Sequence, residues 1–229
     1  MKISDFGGRM GLIPDEHKQH LKEDFEKSLK GEVRILVFTQ EIECPFCKEA
    51  RELAEEVSAL SNKIKVEVYD FVKDSEKAKE YQIDKVPAIA VLGKKDYGIR
   101  FYGLAYGYEF KPFTESIINV SRGTTNLSEE TKKKLASIEK PVHIQVFVSL
   151  TCSYCPLVTS LSHQFAMESD LVRADMVDVG EFSHLAQKYS VMGVPKTVIN
   201  ERTEFVGAIP EELFVQQVVL AQRSPDMYV

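Results

Sequence analysis

The sequence repeats itself. When the chain is shifted by about half its length so that Cys44 falls on Cys152, Cys47 falls on Cys155 with no gap. Leu53 then meets Leu161, Asp70 meets Asp178, Ala78 meets Ala186, Tyr81 meets Tyr189, and Val86-Pro87 meets Val194-Pro195. A single offset aligns all of these, and two cysteine pairs plus two Val-Pro pairs in one register point to a duplicated unit. The two halves are therefore expected to share one fold.

Local patterning supports this. Leu21, Phe25 and Leu29 lie four apart on one helical face. The second half opens with a helix over Leu127 to Ile138, where the lysine run Lys132 to Lys134 reads as a solvated face. Apolar, β-branched runs follow at Val33 to Thr39 and Val142 to Val148, the pattern of central strands covered on both faces. Each cysteine motif comes next and opens a helix, through Leu60 in one half and Phe165 in the other. Second strands are predicted at Ile64 to Tyr69 and Leu171 to Val177, then short helices near Tyr81 and Tyr189. After each Val-Pro come two more strands (Ala88 to Leu92 with Ile99 to Tyr102; Thr197 to Ile199 with Glu204 to Val206). Closing helices are Lys111 to Val120 and Glu211 to Gln222. The order β-α-β-α-β-β-α predicts an α/β fold, parallel first and ending in an antiparallel hairpin. Ser121-Arg122-Gly123-Thr124-Thr125 is small and polar and reads as the join, giving domains at 1–121 and 122–229.

Composition sets limits on partners. The formal charge is −6 and the basic residues are scattered, so nucleic acid, which needs clustered Lys/Arg, is not an expected partner. No apolar run approaches the ~20 residues that span a bilayer, so no membrane partner is expected. Met1 to Leu12 lacks the apolar stretch of a secretory signal, and a cytoplasmic location is expected. All four cysteines fall in the two pairs, which in such a chain favours redox or metal chemistry over a structural disulfide framework.

The predicted strand-to-helix position of each pair has a chemical consequence. The first turn of a helix leaves N–H groups unpaired and carries the positive end of the dipole. A thiolate there is stabilised, and only the thiolate attacks a disulfide. Cys44 and Cys152 are thus the expected nucleophiles, with Cys47 and Cys155 resolving. Thiol–disulfide exchange of this kind needs no organic cofactor and no metal. Lys48 and Arg51 are expected to make Cys44 the more acidic nucleophile, with Glu41 and Glu43 opposing them; the second motif has no nearby cation.

Cys44-Pro45-Phe46-Cys47 with Val86-Pro87, and Cys152-Ser153-Tyr154-Cys155 with Val194-Pro195, resemble the thioredoxin superfamily over nearly the whole chain. The tandem arrangement is similar to the protein disulfide oxidoreductases of heat-loving archaea and bacteria, two-domain relatives of glutaredoxin and protein disulfide isomerase. The resemblance implies two tandem thioredoxin-like domains, each a central mixed sheet flanked by helices. It also implies cis Pro87 and Pro195 beside the cysteines, with Val86 and Val194 contacting substrate. Implied partners are disulfide-containing or dithiol proteins and a thioredoxin-reductase-like flavoprotein. The sequence also departs from its relatives. Phe38 and Val146 stand where a thioredoxin-type buried Asp is sought, which leaves proton transfer to Glu67 and Asp175 on the second strands, or to water. The Gly-Gly pair of glutathione-binding glutaredoxins is missing, which favours a protein substrate.

Competing readings are weaker. A zinc site using all four thiolates would join pairs an entire domain apart. An iron–sulfur cluster bridging two chains needs a second copy. A purely structural disulfide gains little from so short a loop. His17, His20, His143, His163 and His184 form no metal pattern, and Asp70 and Asp178 read as turn residues ending a strand. A peptide-binding holdase with little turnover, or a dedicated electron relay to a peroxidase, are the alternative functions. Intact cysteines in both halves favour the enzyme.

Overall fold

The computed structural model describes residues 11–222. The first half runs α1 (Asp15–Ser28), β1 (Val33–Thr39), α2 (Cys47–Ser58), β2 (Ile64–Asp70), α3 (Ser75–Glu80), β3 (Ala88–Leu92), β4 (Asp96–Tyr102) and α4 (Phe110–Arg122). The second runs α5 (Glu129–Ala136), β5 (Val142–Val148), α6 (Cys155–Glu168), β6 (Val172–Asp178), α7 (Ser183–Lys188), β7 (Lys196–Ile199), β8 (Thr203–Val206) and α8 (Glu211–Ala221). This is the predicted α/β order, carried out twice. The reading of Met1 to Leu12 as no secretory signal lies almost wholly outside the described residues. No helix among the described residues is long and apolar enough to cross a membrane.

In each half the first strand pairs in parallel with the second and antiparallel with the third, which turns back into the fourth. The strands then do something the sequence did not announce: β4 pairs in parallel with β6, Ile99 opposite Ala174 through Tyr102 opposite Val177. The described strands thus form one eight-stranded sheet ordered β2-β1-β3-β4-β6-β5-β7-β8. One apolar core lies under α1, α2, α4, α5, α6 and α8, and the other, around Leu36, Phe38, Tyr102 and Phe147, under α3 and α7. β1 and β5 are covered on both faces, which is why their sequences are near-continuous apolar runs.

The structure also corrects the reading of the join. Ser121 and Arg122 belong to α4, and Gly123 ends it in a left-handed conformation at φ 67°. Ser121 is buried, and its hydroxyl accepts from the N–H groups of Lys30 and Gly31 while donating to Gly31 O. Being small and polar here serves a buried bond network, not a flexible linker. The repeat also slips by one residue ahead of the first motif. Phe38 pairs with the residue after Pro87, as Phe147 does with the residue after Pro195, yet the chain from strand to cysteine is one residue longer in the first half. The slack is taken up near Glu43, whose φ is 57°.

Arg173 ties the seam. Its Nε donates to Asp175 Oδ1 at 2.9 Å, Nη1 to Gln82 O at 2.8 Å and Nη2 to the Tyr102 hydroxyl at 2.7 Å. Asp175 is fully buried and also meets His143 Nε2 at 2.6 Å. Burial opposes its ionisation, but His143 and Arg173 outweigh it and hold the carboxyl far below the usual range. Removing one partner of a buried ion pair strands the other charge and costs about 3–5 kcal/mol. Arg173→Met is expected to lower unfolding stability by about 3 kcal/mol, and Tyr102→Phe, which removes the hydroxyl's bonds to Arg173 and to Gln82 O, by about 1 kcal/mol. Urea denaturation of the two variants checks this; equal losses would mean Arg173 acts only through Tyr102.

Candidate active sites

Both cysteine pairs sit where a strand leaves the sheet and a helix begins, as predicted: α2 starts at Cys47 and α6 at Cys155. Both pairs are disulfide-bonded, with Cα atoms 5.4 Å apart in the first and 5.5 Å in the second. Within each pair the first cysteine is partly exposed and the second buried, Cys155 completely. An incoming sulfur therefore meets Cys44 or Cys152 first. The backbone N–H of Cys155, in the first turn of α6, donates to Cys152 Sγ at 3.2 Å, the contact by which a helix N-terminus steadies a thiolate. In the first site Cys47 Sγ instead accepts from Gln40 N at 3.3 Å.

Val86-Pro87 and Val194-Pro195 both have cis peptide bonds, as the resemblance implied. Each loop is pinned by a glycine at the end of the neighbouring strand: Gly103 N donates to Pro87 O and Gly207 N to Pro195 O. Val194 O lies 3.7 Å from Cys152 Sγ. Val86 and Val194 stay partly exposed while the prolines are buried.

Because β1 and β5 run the same way in one sheet, the two sites share one edge. Four strand spacings separate them, roughly 19 Å. A single tetrahedral zinc site holding all four thiolates is incompatible with this spacing. Among the described residues no group of three or more His, Cys, Asp or Glu is placed to hold a metal. His163 is buried in the core against Phe101, and burial pushes its pKa down to about 4, so it packs as a neutral ring.

The charges around the sites differ from expectation. Lys48 and Arg51 each pair along α2 with a carboxylate one turn on, Glu52 and Glu55. Glu67 is taken up by Arg34 and Tyr69, and Asp175 by the seam. Both are committed to ion pairs, Glu67 across to β1 and Asp175 along β6, and are not the free proton carriers expected from the sequence. Asp70 serves its turn by accepting from Val72 N and Lys73 N, and Asp178 by accepting from Gly180 N.

A different carboxylate emerges. Glu109 ends a short 3-10 turn, Gly107–Glu109, which the first half lays against the second. Tyr108 N donates to Leu150 O two residues before Cys152, and a Cβ on Gly107 would meet that oxygen at 2.4 Å. Glu109 is fully buried and both its carboxylate oxygens lack a hydrogen-bond partner. Burial pushes its pKa up to about 7, with the nearby Thr159 opposing and Asp178 adding to the shift. Thr159 lies one turn along α6 from Cys155, which places Glu109 beneath the second site. A parallel feature flanks the first site, where burial raises Glu181 to about 7, helped by Asp178 and by Glu49, which is two residues after Cys47. The sequence did carry a signal for Glu109: a lone carboxylate among Tyr106, Tyr108 and Phe110.

Known proteins match this geometry. The thioredoxin domain family matches residues 142–220. Over 94% of the chain the structure superposes on a protein disulfide oxidoreductase from Aeropyrum pernix, covering 97% of it with a TM-score of 0.86 and 28% identity. It also superposes on the alkylhydroperoxide reductase protein AhpF of Enterococcus faecalis, with 26% identity, 90% of this chain, 99% of that chain and a TM-score of 0.84. Curated relatives include an NADH dehydrogenase of Bacillus subtilis, 23% identical over 67% of this chain, and the F component of alkyl hydroperoxide reductase from Staphylococcus aureus, 25% identical over 82%. The chain spans only 28% and 34% of those two proteins. The tandem thioredoxin-like fold expected from the motifs is what the structure has.

Glu109 yields a prediction about stability. Its folded pKa is raised, so the folded protein binds one more proton than the unfolded chain between about pH 4.5 and 7, and its stability contribution is lost as pH rises through that window. Glu109→Gln should abolish that loss, gaining on the order of 3 kcal/mol over wild type between pH 4.5 and pH 8. Urea denaturation of the oxidised proteins at both pH values measures it. Parallel pH curves for the two proteins would show that Glu109 does not titrate there.

Proposed function

We propose that this chain, a thiol–disulfide oxidoreductase of tandem thioredoxin fold, catalyses reduction, oxidation or isomerisation of protein disulfides through both of its Cys-x-x-Cys sites. The observation that carries the reading is the pairing of a reachable sulfur with a buried one at each helix start, with Val194 O against Cys152 at the second. In the reducing direction the Cys152 thiolate attacks one sulfur of a client disulfide. A mixed disulfide forms and the client's other sulfur leaves as thiolate. Cys155 then attacks Cys152, the intermolecular bond breaks, the client leaves fully reduced, and two electrons have passed from enzyme to client. Cys44 and Cys47 act likewise, and oxidation is the reverse sequence. Val86, Pro87, Val194 and Pro195 form the walls against which substrate lies. Two units, each holding one site, are part of this reading; they follow the expected 1–121 and 122–229 except that the division falls after α4, at Gly123.

The buried Cys155 must lose a proton before it attacks, in surroundings where free charge is costly. Glu109 is the acceptor this reading assigns: a carboxyl near neutrality titrates where the exchange runs. The partners are redox proteins, disulfide clients on one side and a thioredoxin-reductase-like flavoprotein on the other. Similarity to the F component of alkyl hydroperoxide reductase supports a second reading, in which the chain relays electrons to a peroxidase.

Reduction of insulin by dithiothreitol tests the proposal. Wild type is expected to accelerate precipitation at least about tenfold and Cys44→Ser/Cys152→Ser to leave it at background, since only the first thiolate can start the exchange. The single variants rank the sites. A double variant as fast as wild type would overturn the reading.

A further inference from the structure

The two sites descend from one, so differences between them at matched positions show what each has come to meet. At the first site the surroundings are charged. The loop before Cys44 reads Gln40-Glu41-Ile42-Glu43, Lys48 follows the motif, and Asp84 stands two residues before Val86. Lys48 and Asp84 are 79% and 69% exposed as side chains. Exposed Ile42 and Val72 lie there too, but Ile42 is set between two glutamates and Val72 beside Lys73, which pairs with Glu41.

At the second site the charges of Glu41, Glu43, Lys48 and Asp84 are gone. The loop reads Ser149-Leu150-Thr151, Pro156 replaces Lys48, Leu157 replaces Glu49 and Met192 replaces Asp84. Two of the replacements are exposed and apolar, Leu157 at 57% and Met192 at 96%, and beside them stands Tyr154 at 66%, where the first site has Phe46. Tyr154 lies inside the motif, and Met192 is two residues before Val194, whose carbonyl touches Cys152. Two more exposed side chains extend the patch. Val206 would lie 3.9 Å from a Cβ at Gly193, and Tyr108 is held beside Leu150 by its backbone bond. Large side chains left this exposed around a reactive sulfur, with no charge among them, mark a contact surface.

We infer that the second site is the docking face for extended, non-native polypeptide clients carrying apolar side chains next to the cysteine to be exchanged, and that Tyr154, Leu157 and Met192 set this preference. The inference rests on the exchange activity proposed above. A flexible thioether at Met192 suits varied apolar partners, because it repacks without a fixed shape. Continuity of the patch with Cys152 and Val194 fits a client chain threaded past the sulfur, and the missing charges remove the contacts a polar folded surface would need.

The test uses full-length protein with one site left active. Cys44→Ser/Cys47→Ser leaves the second site, and Cys152→Ser/Cys155→Ser leaves the first. Each, reduced, is mixed with thiopyridyl disulfides of two short cysteine peptides, one flanked by Leu and Phe, the other by Glu and Lys. Thiopyridone release gives the rates. With the second site alone the apolar peptide should react about tenfold faster, a difference of roughly 1.4 kcal/mol. Adding Leu157→Glu and Met192→Asp, the residues of the first site, should bring that ratio near one, as should the first site alone. A ratio that survives the substitutions, or an equal ratio at the first site, overturns the docking inference while leaving exchange intact. If neither protein reacts above background with either peptide, exchange itself fails and the inference with it. Sedimentation of the oxidised chain is expected to show a monomer; a dimer that the same substitutions dissociate would assign the patch to a second copy and overturn the inference.

Discussion

Four residues of β4, Ile99 to Tyr102, pair in parallel with Ala174 to Val177 of β6. Without that ladder each half would carry an exposed sheet edge, which invites pairing with other chains. With it, the edges cover each other and the strands of both halves point the same way. Cys44 and Cys152 then emerge on one side of the molecule, neighbours along a single sheet edge. The seam is fixed by charge as well as backbone: Arg173 spends its donors on Asp175, Gln82 and Tyr102, the last two from the other half. Asp175 can stay ionised in a fully buried place only because Arg173 and His143 both face it.

The same seam decides where proton chemistry can occur. Carboxylates on the second strands would have been conveniently near each motif, but Glu67 and Asp175 are consumed by ion pairs that hold strands together. A carboxylate locked to a guanidinium is a poor base, because its proton affinity is already lowered. The groups free to titrate near neutrality are those that burial, not pairing, controls: Glu109 below the second site, and Glu181, facing Glu49, beside the first. Carboxylates held ionised by pairing and carboxylates raised by burial are thus separated by environment alone.

Much of this could be read from the residues. Every strand and helix of both halves follows from apolar runs, spacing and the repeat, because local patterning and burial agree there. The cysteine pairs and their Val-Pro partners were legible for the same reason: a motif repeated in register leaves little room for chance. What escaped the sequence was whatever depends on the two halves meeting. Nothing in Ile99 to Tyr102 or Ala174 to Val177 says that they pair, since an apolar strand looks the same beside any neighbour. Ser121 looked like linker because small polar residues usually are, and its burial follows only from the packing of α4 against the end of α1. The slip before Cys44 was hidden because every position that carries the repeat lies at or after Cys44.

Duplication also explains why the halves are not interchangeable. Gly103 and Gly207 hold equivalent places, each donating to the carbonyl of its proline. Beyond Gly207 the chain goes almost directly into α8, and Glu211 at its start is taken by Ser128. Beyond Gly103 the path to α4 is longer, and the extra residues form the Gly107–Glu109 turn that reaches across to Leu150 and α6. Only the first half has a neighbour on that side to reach. The second site therefore takes its buried carboxylate from the first half, whereas the first site has no further half to borrow from and meets Glu181 only at its flank. Once one site depended on a turn supplied by the other half, the two could no longer drift as equals. Their surroundings could then diverge, one toward charge and the other toward apolar contact, while the sheet kept both sulfurs on the same edge.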